Sequence, residues 1–304
     1  MALNQLGLGF VFTAKDLASG VIGRVKDNFG ELEGKTTAAT QSVQANFTQF
    51  GKGLAIFGAG VAIVGGAFAL AEQADAFVNA LEQAGAAASA SAGEMEMLRG
   101  VALEAALKGT GTSAEGAAEA LRELVMEGFN ARDAAAALGP TLSLVSIGFG
   151  QISRAQAAGL VNDTLGEFRL GAEQAGPLVD KLALAMRSFG LRASELEPAL
   201  RGVATGVALT GASLDDTLIA LGLTKTVLPS VEQASRSVNL AFNQLANPST
   251  RKELGALGVT VADSAGNMRP LIDILGDLSA RTTNMTEAQR AASMASIFSA
   301  RAGG

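Results

Sequence analysis

Between Gly109 and Gly211 the chain is punctuated by Gly128, Gly150, Gly171, Gly190 and Gly211, at intervals of 22, 21, 19 and 21 residues that leave room for one helix each. A helix-start signal opens the blocks: Thr112-x-x-Glu115, Asn130-x-x-Asp133, Ser153-x-x-Gln156, Ser194-x-x-Glu197 and Ser213-x-x-Asp216. In such a box the first side chain accepts an otherwise unpaired N–H of the first turn, and the last side chain reaches back to the N–H before it. An apolar stripe then fills each interior. In the first block Ala117, Leu121, Leu124 and Val125 share one face, and Glu119, Arg122, Glu123 and Glu127 share the other. The pattern predicts consecutive antiparallel helices of about four turns with short loops. Residue identities repeat too poorly to favour a true solenoid.

Composition agrees with helix and excludes much chemistry. The chain has 304 residues, 48% of them hydrophobic and 17% charged, with 37 glycines and 14 phenylalanines but no His, Cys, Trp or Tyr. That length and apolar content suffice for two or three domains. Ser-His-Asp triads, Cys nucleophiles and His- or Cys-ligated zinc are impossible without those side chains. The lack of cysteine leaves no disulfide framework and is compatible with a reducing cytoplasm. A net charge of −6 argues against nucleic-acid binding through a basic surface.

At the N-terminus, Leu6, Leu8, Phe10 and Phe12 alternate with smaller residues and predict a strand. No basic region followed by an apolar run is present, so no cleaved secretion signal is expected. From Asp16 to about Phe50, Val21, Val25, Phe29, Leu32, Val43, Phe47 and Phe50 keep helical spacing, with Gly30 and Gly34 weakening the middle. This reads as a long helical arm. Gly53 to Ala71 is a run of nineteen uncharged residues. As a helix it reaches roughly 28 Å against a hydrocarbon core of about 30 Å. Its Gly58, Ala62, Gly65, Gly66 and Ala69 equally suit a buried helix in close contact with others. Membrane contact and an oligomer seam both remain open for this stretch. An Ala/Ser-rich link, Ala86 to Ala92, precedes a helix opened by Glu94 to Leu98.

Residues 254–278 pack several signals together. Gly258 sits where a helix stops, Val259-Thr260-Val261 alternates like a strand, and Asp263 to Asn267 suits a turn, so a β-hairpin is expected over 259–269. Leu271, Ile274, Leu275 and Leu278 then recur at helical spacing, with Asp273 and Asp277 on the outer face. The run Leu257-Gly258-Val259-x-Val261-x-Asp263-x-x-Gly266-Asn267-Met268-Arg269-Pro270-Leu271-x-Asp273-Ile274-Leu275, with Ile297 to Arg301 beyond it, closely resembles the core region of phage tail tape measure proteins. The segments Ala74–Phe77 through Gly93–Glu96, Ser113 through Ala131, and Gly211–Asp215 through Leu245–Pro248 resemble the same family, so the likeness runs over about 72–301.

The resemblance implies a virion assembly protein without enzymatic activity or cofactors. Such a protein lies in the tail lumen after assembly in the host cytoplasm, templates the length of the tail tube and leaves with the DNA. It implies tail tube protein, tail assembly chaperones and tail tip or baseplate hub proteins as partners. Self-association with three- or six-fold packing suits a tube axis. The chain stops at Gly303-Gly304, where family members continue into long helical regions, so it reads as a fragment or a truncated product. A membrane-active helical protein of the holin or pore-forming kind, inserting through 53–71, is the alternative. The fold expected is mainly α: a multi-helix array of antiparallel helices, one short β-hairpin near 259–269, and an N-terminal strand plus helical arm. The expected divisions are 1–52 for strand and arm, 53–91 for the apolar helix and link, and 92–304 for the helical core domain.

No residue is assigned a catalytic, cofactor-binding or metal-binding role. The closest carboxylate pairs, Asp215/Asp216, Glu94/Glu96 and Glu195/Glu197, fall at predicted helix starts, where negative charge complements the helix dipole. In Gly58-Ala-Gly60-Val-Ala-Ile63, isoleucine stands where a dinucleotide loop needs its third glycine, and no Lys-Ser/Thr follows for a P-loop. Asp263-Ser-Ala-Gly266-Asn267 lacks the alternating acidic ligands of a calcium loop.

Overall fold

Alanine and leucine make up much of the apolar content and favour helix, so each block folds locally wherever a cap starts it. The computed structural model describes residues 69–107, 112–148, 151–228, 230–289 and 293. Its helices are α1 (Ala69–Ala87), α2 (Ala92–Leu107), α3 (Ala114–Met126), α4 (Ala131–Ile147), α5 (Arg154–Glu167), α6 (Ala175–Phe189), α7 (Ala193–Thr210), α8 (Leu214–Lys225), α9 (Val231–Ala246), α10 (Pro248–Ala256) and α11 (Leu271–Thr282). The mainly α expectation holds. The N-terminal strand and the helical arm expected over 1–52 lie outside the described residues, as does 53–68 of the apolar stretch.

Three of the five expected caps form as read. Asn130 Oδ1 accepts from the Arg132 and Asp133 N–H groups, both at 3.0 Å. Ser153 and Gln156 form a reciprocal box, and Ser213 Oγ accepts from the Asp216 N–H at 3.1 Å. The other two shift. Helix α3 is capped by Ser113, whose Oγ accepts from the Gly116 N–H at 3.1 Å, one residue after the expected Thr112. Helix α7 starts at Ala193 rather than after Ser194. There the Glu195 carboxylate takes the Arg192 N–H at 2.9 Å and its guanidinium at 2.7 Å. A charge-assisted pair outweighs a neutral hydroxyl cap and so sets the helix start.

Several helix ends share one design. Gly128 (φ +107°) and Gly258 (φ +77°) adopt the left-handed conformation that terminates α3 and α10. The following N–H then folds back, Phe129 to the Leu124 carbonyl at 3.2 Å and Val259 to the Leu254 carbonyl at 2.9 Å. Both residues are apolar and buried, so the helix stop also delivers a side chain to the core.

The chain divides into two compact units within α6, and their described parts are 69–183 and 184–289. In the first unit α3 is central and packs against α1, α2, α4 and α5. Its Ala117, Ala118, Leu121, Leu124 and Val125 are buried, as are Leu98 of α2, Leu138 of α4 and Leu160 of α5. In the second unit α9 lies along α7 and touches α8 and α10, while α11 packs on α8. Helix α8 is buried nearly all round, from Thr217 to Thr224, which explains why it lacks a polar face.

The two-stranded hairpin expected over 259–269 does not form. An isolated antiparallel bridge between Ala262 and Met268 stands there, and no strand occurs among the described residues. Cross-chain bonds are restricted to Asp263 N–H to the Asn267 carbonyl at 2.8 Å and Arg269 N–H to the Val261 carbonyl at 2.9 Å. The Asp263 carboxylate captures the Ala265 and Asn267 N–H groups, both at 2.9 Å. Pro270 has no N–H to continue the pairing. With the Asp263 carboxylate holding the turn amides and Pro270 starting the next helix, a single bridge remains in place of a ladder.

Candidate functional site

The segment from Leu254 to Leu278 is the part of the second unit that carries the sequence motif, and its geometry is that of a folded clasp. Leu254 is fully buried at the end of α10, Val259 and Val261 are buried after the Gly258 turn, and Leu271, Ile274, Leu275 and Leu278 bury the inner face of α11. Burying such side chains contributes about 1.5–3 kcal/mol each. Arg269 ties the turn to α11: one Nη1 donates to the Thr260 carbonyl at 2.7 Å and to Asp277 Oδ2 at 2.8 Å. Asp277 is thus the outward acid that the helical spacing predicts, and its partner is the motif arginine. The Asn267 N–H hydrogen bond, with further donors from the same turn, holds the Asp263 carboxyl below its ordinary value.

Carboxylates of the three pairs accept short local hydrogen bonds and ion pairs. Glu94 accepts the Ser91 N–H at 2.9 Å and the Ser91 hydroxyl at 2.7 Å, which lower its pKa. Burial acts to raise the Glu195 carboxyl, but Arg192, through its guanidinium and N–H, holds it below the usual range. Glu197 pairs with Arg201 one turn on at 2.9 Å. Asp216 accepts the Ser213 hydroxyl at 2.9 Å. Glu94 also pairs with Arg132 of α4 at 3.7 Å.

Among the described residues no cluster of three or more metal-ligating side chains occurs. An open groove of about 570 Å³ in the first unit lies between the start of α4 and the end of α5, lined by Phe129, Asp133, Asn162, Asp163, Glu167 and Leu170 among others. No helix of the described residues is long and apolar enough to cross a membrane.

The sequence reading missed one contact region, the seam between α7 and α9. Ser235 Oγ donates to the Ala199 carbonyl at 2.8 Å, and the Gly206 N–H donates to Asn239 Oδ1 at 2.8 Å. Contacts advance in the same direction on both helices, so the pair is parallel, as alternate members of an up-and-down array are. The available signal was Gly202-x-x-x-Gly206, two small residues one turn apart that let backbones approach closely.

Comparison with known proteins gives a consistent result. A family model described as phage-related minor tail protein matches residues 99–299. A curated tape measure protein of Pneumococcus phage Dp-1 is 27% identical over 215 residues, covering 70% of this chain and 18% of that protein. The chain therefore spans less than a fifth of that relative's length. No solved structure matches.

Proposed function

The chain belongs to the phage-related minor tail protein family, and from that premise we propose that it forms the folded core segment of a tail tape measure protein. It is a structural component of the phage tail. The match across both described units to a protein named for measuring tape carries the proposal. In this role the protein lies in the tail lumen, organises polymerisation of tail tube protein around it, and is released when DNA is ejected. Assembly takes place in the host cytoplasm with tail assembly chaperones and a tip or baseplate hub protein. Self-association in three- or six-fold symmetry suits that position, and no reaction is assigned.

The mechanism is mechanical. Helical chain advances about 1.5 Å per residue, so residue count converts linearly into length where the chain is extended. The described units instead fold back on themselves and serve as an anchoring body rather than the graduated part. In-frame deletions within the helical rod of such a protein should shorten tails in proportion to the residues removed, by up to about 1.5 Å each. Electron micrographs showing tails of unchanged length would overturn the ruler reading. Cleavage of peptidoglycan by the purified chain would overturn the non-enzymatic one.

A further inference from the structure

The last three helices of the two units share a register, while α8 begins 122 residues after α2. Helices α3, α4 and α5 begin at residues 114, 131 and 154, and α9, α10 and α11 begin at 231, 248 and 271, each 117 residues later. The caps follow the same offset. Ser113 Oγ accepts from Gly116 N–H at 3.1 Å and Ser230 Oγ from Gln233 N–H at 3.2 Å. Asn130 Oδ1 accepts from Arg132 N–H at 3.0 Å and Asn247 Oδ1 from Ser249 N–H at 2.9 Å. Donor, acceptor and position within the turn coincide at these two caps, whereas Ser153 of the third is matched by Pro270, which makes no side-chain cap.

Burial follows it as well. Ala117, Ala118, Leu121, Leu124 and Val125 of α3 are buried, and so are Ala234, Ser235, Val238, Ala241 and Phe242 of α9 at the same offset. On α5 and α11 the buried pairs are Ala157/Ile274, Ala158/Leu275 and Val161/Leu278. Where α4 continues but α10 stops, Val259 and Val261 still bury at the places of Leu142 and Leu144. In each unit the first helix packs along the third, and the second helix packs on the third. A polar side chain at the matched position of the third helix reaches the first helix in both units, as donor in one and acceptor in the other. Arg122 Nη1 donates to Gln83 Oε1 at 3.3 Å, and Asn239, 117 residues after Arg122, accepts from Gly206.

We infer that the described region is a tandem repeat of one five-helix module, α1–α5 repeated as α7–α11, with α6 as the connector. Helices of similar length alone would reproduce approximate spacing. They would not reproduce two caps on the same atoms together with the matched buried face of α3 and α9 and the packing of the first and second helices on the third; the fifth helices differ, α5 packing on α3 and α4 and α11 on α8.

Hydrogen-exchange mass spectrometry on the intact chain tests this. The third helix of each module, α3 and α9, should be the slowest to exchange in its own set. Asn130→Ala should speed exchange in α4 by about fivefold, the effect of losing one helix cap, and Asn247→Ala should do the same in α10. Wild-type protection in which α9 exchanges ahead of α7 and α8 while α3 is slowest in its set would overturn the repeat. So would cap effects differing by more than about tenfold between the two substitutions.

Discussion

Substitution of Gly206 by alanine tests the α7–α9 seam most sharply. A Cβ built at Gly206 meets Phe242 Cβ at 2.7 Å, Asn239 Oδ1 at 2.8 Å and the Asn239 carbonyl oxygen at 3.2 Å. Carbon atoms rest at about 3.5–4.0 Å, so the first contact must open by about an ångström. Phe242 Cβ is fixed to its backbone and cannot swing away, so α9 itself must move. Overpacking of this kind costs about 1–3 kcal/mol. Displacing Asn239 also forfeits its bond to the Gly206 N–H, worth about 1 kcal/mol. Alanine returns about 1 kcal/mol through helix propensity. The balance is a destabilisation of about 1–3 kcal/mol. Gly276 is the control, because it lies inside α11 and a Cβ there meets nothing within 4 Å. Gly276→Ala should therefore stabilise by about 0.5–1 kcal/mol. Urea denaturation of the full chain, followed by far-ultraviolet circular dichroism, reads both. A Gly206→Ala variant as stable as Gly276→Ala would refute the close approach of the two helices.

Two further outcomes follow from the clasp. Leu275→Asp places a charge on a buried position of α11 and should cost several kcal/mol, unfolding the second unit and blocking tail assembly; a variant with wild-type dichroism and normal tails would show that the motif core is dispensable. The Asp263 carboxyl is held below its ordinary value of about 3.9 by turn amides, so its contribution is present above that value and is lost as pH falls through the lowered folded one. Exchange of the Ala265 and Asn267 amides should then accelerate only on acidification below about pH 4, and Asp263→Asn should remove the step. A midpoint at or above the ordinary carboxylate value would show that the turn does not hold Asp263 as an anion.

What could be read from the chain depended on how local its physics is. Caps at Asn130, Ser153 and Ser213 are decided within four residues, so they were legible. The start of α7 was not, because Arg192 carries no capping oxygen and acts only through Glu195. The stripe of Leu271, Ile274, Leu275 and Leu278 gave the inner face of α11 directly. The same reasoning overreached at 259–269. Alternation marked Val259 and Val261 as inward-facing, which they are, but it could not register that Asp263 and Pro270 remove the donors a ladder needs.

The repeat shows why a chain can hide its own periodicity. At matched positions Leu124-Val125 becomes Ala241-Phe242, so a large side chain and a medium one become a small one and a larger one. The pair fills a similar volume while sharing no identity, and cores tolerate such exchange when total volume and pattern are kept. Ala157 and Ala158 likewise correspond to Ile274 and Leu275 at the same offset, buried positions that share no identity. Identity is thus lost where burial register is kept, and the cap atoms persist at Ser113/Ser230 and Asn130/Asn247 but not at Ser153/Pro270. A capping oxygen answers to the unpaired N–H groups of its own first turn, so where it is kept it makes the same bond whatever fills the core around it, and where proline replaces it, as at Pro270, the helix starts from the fixed φ of the ring instead.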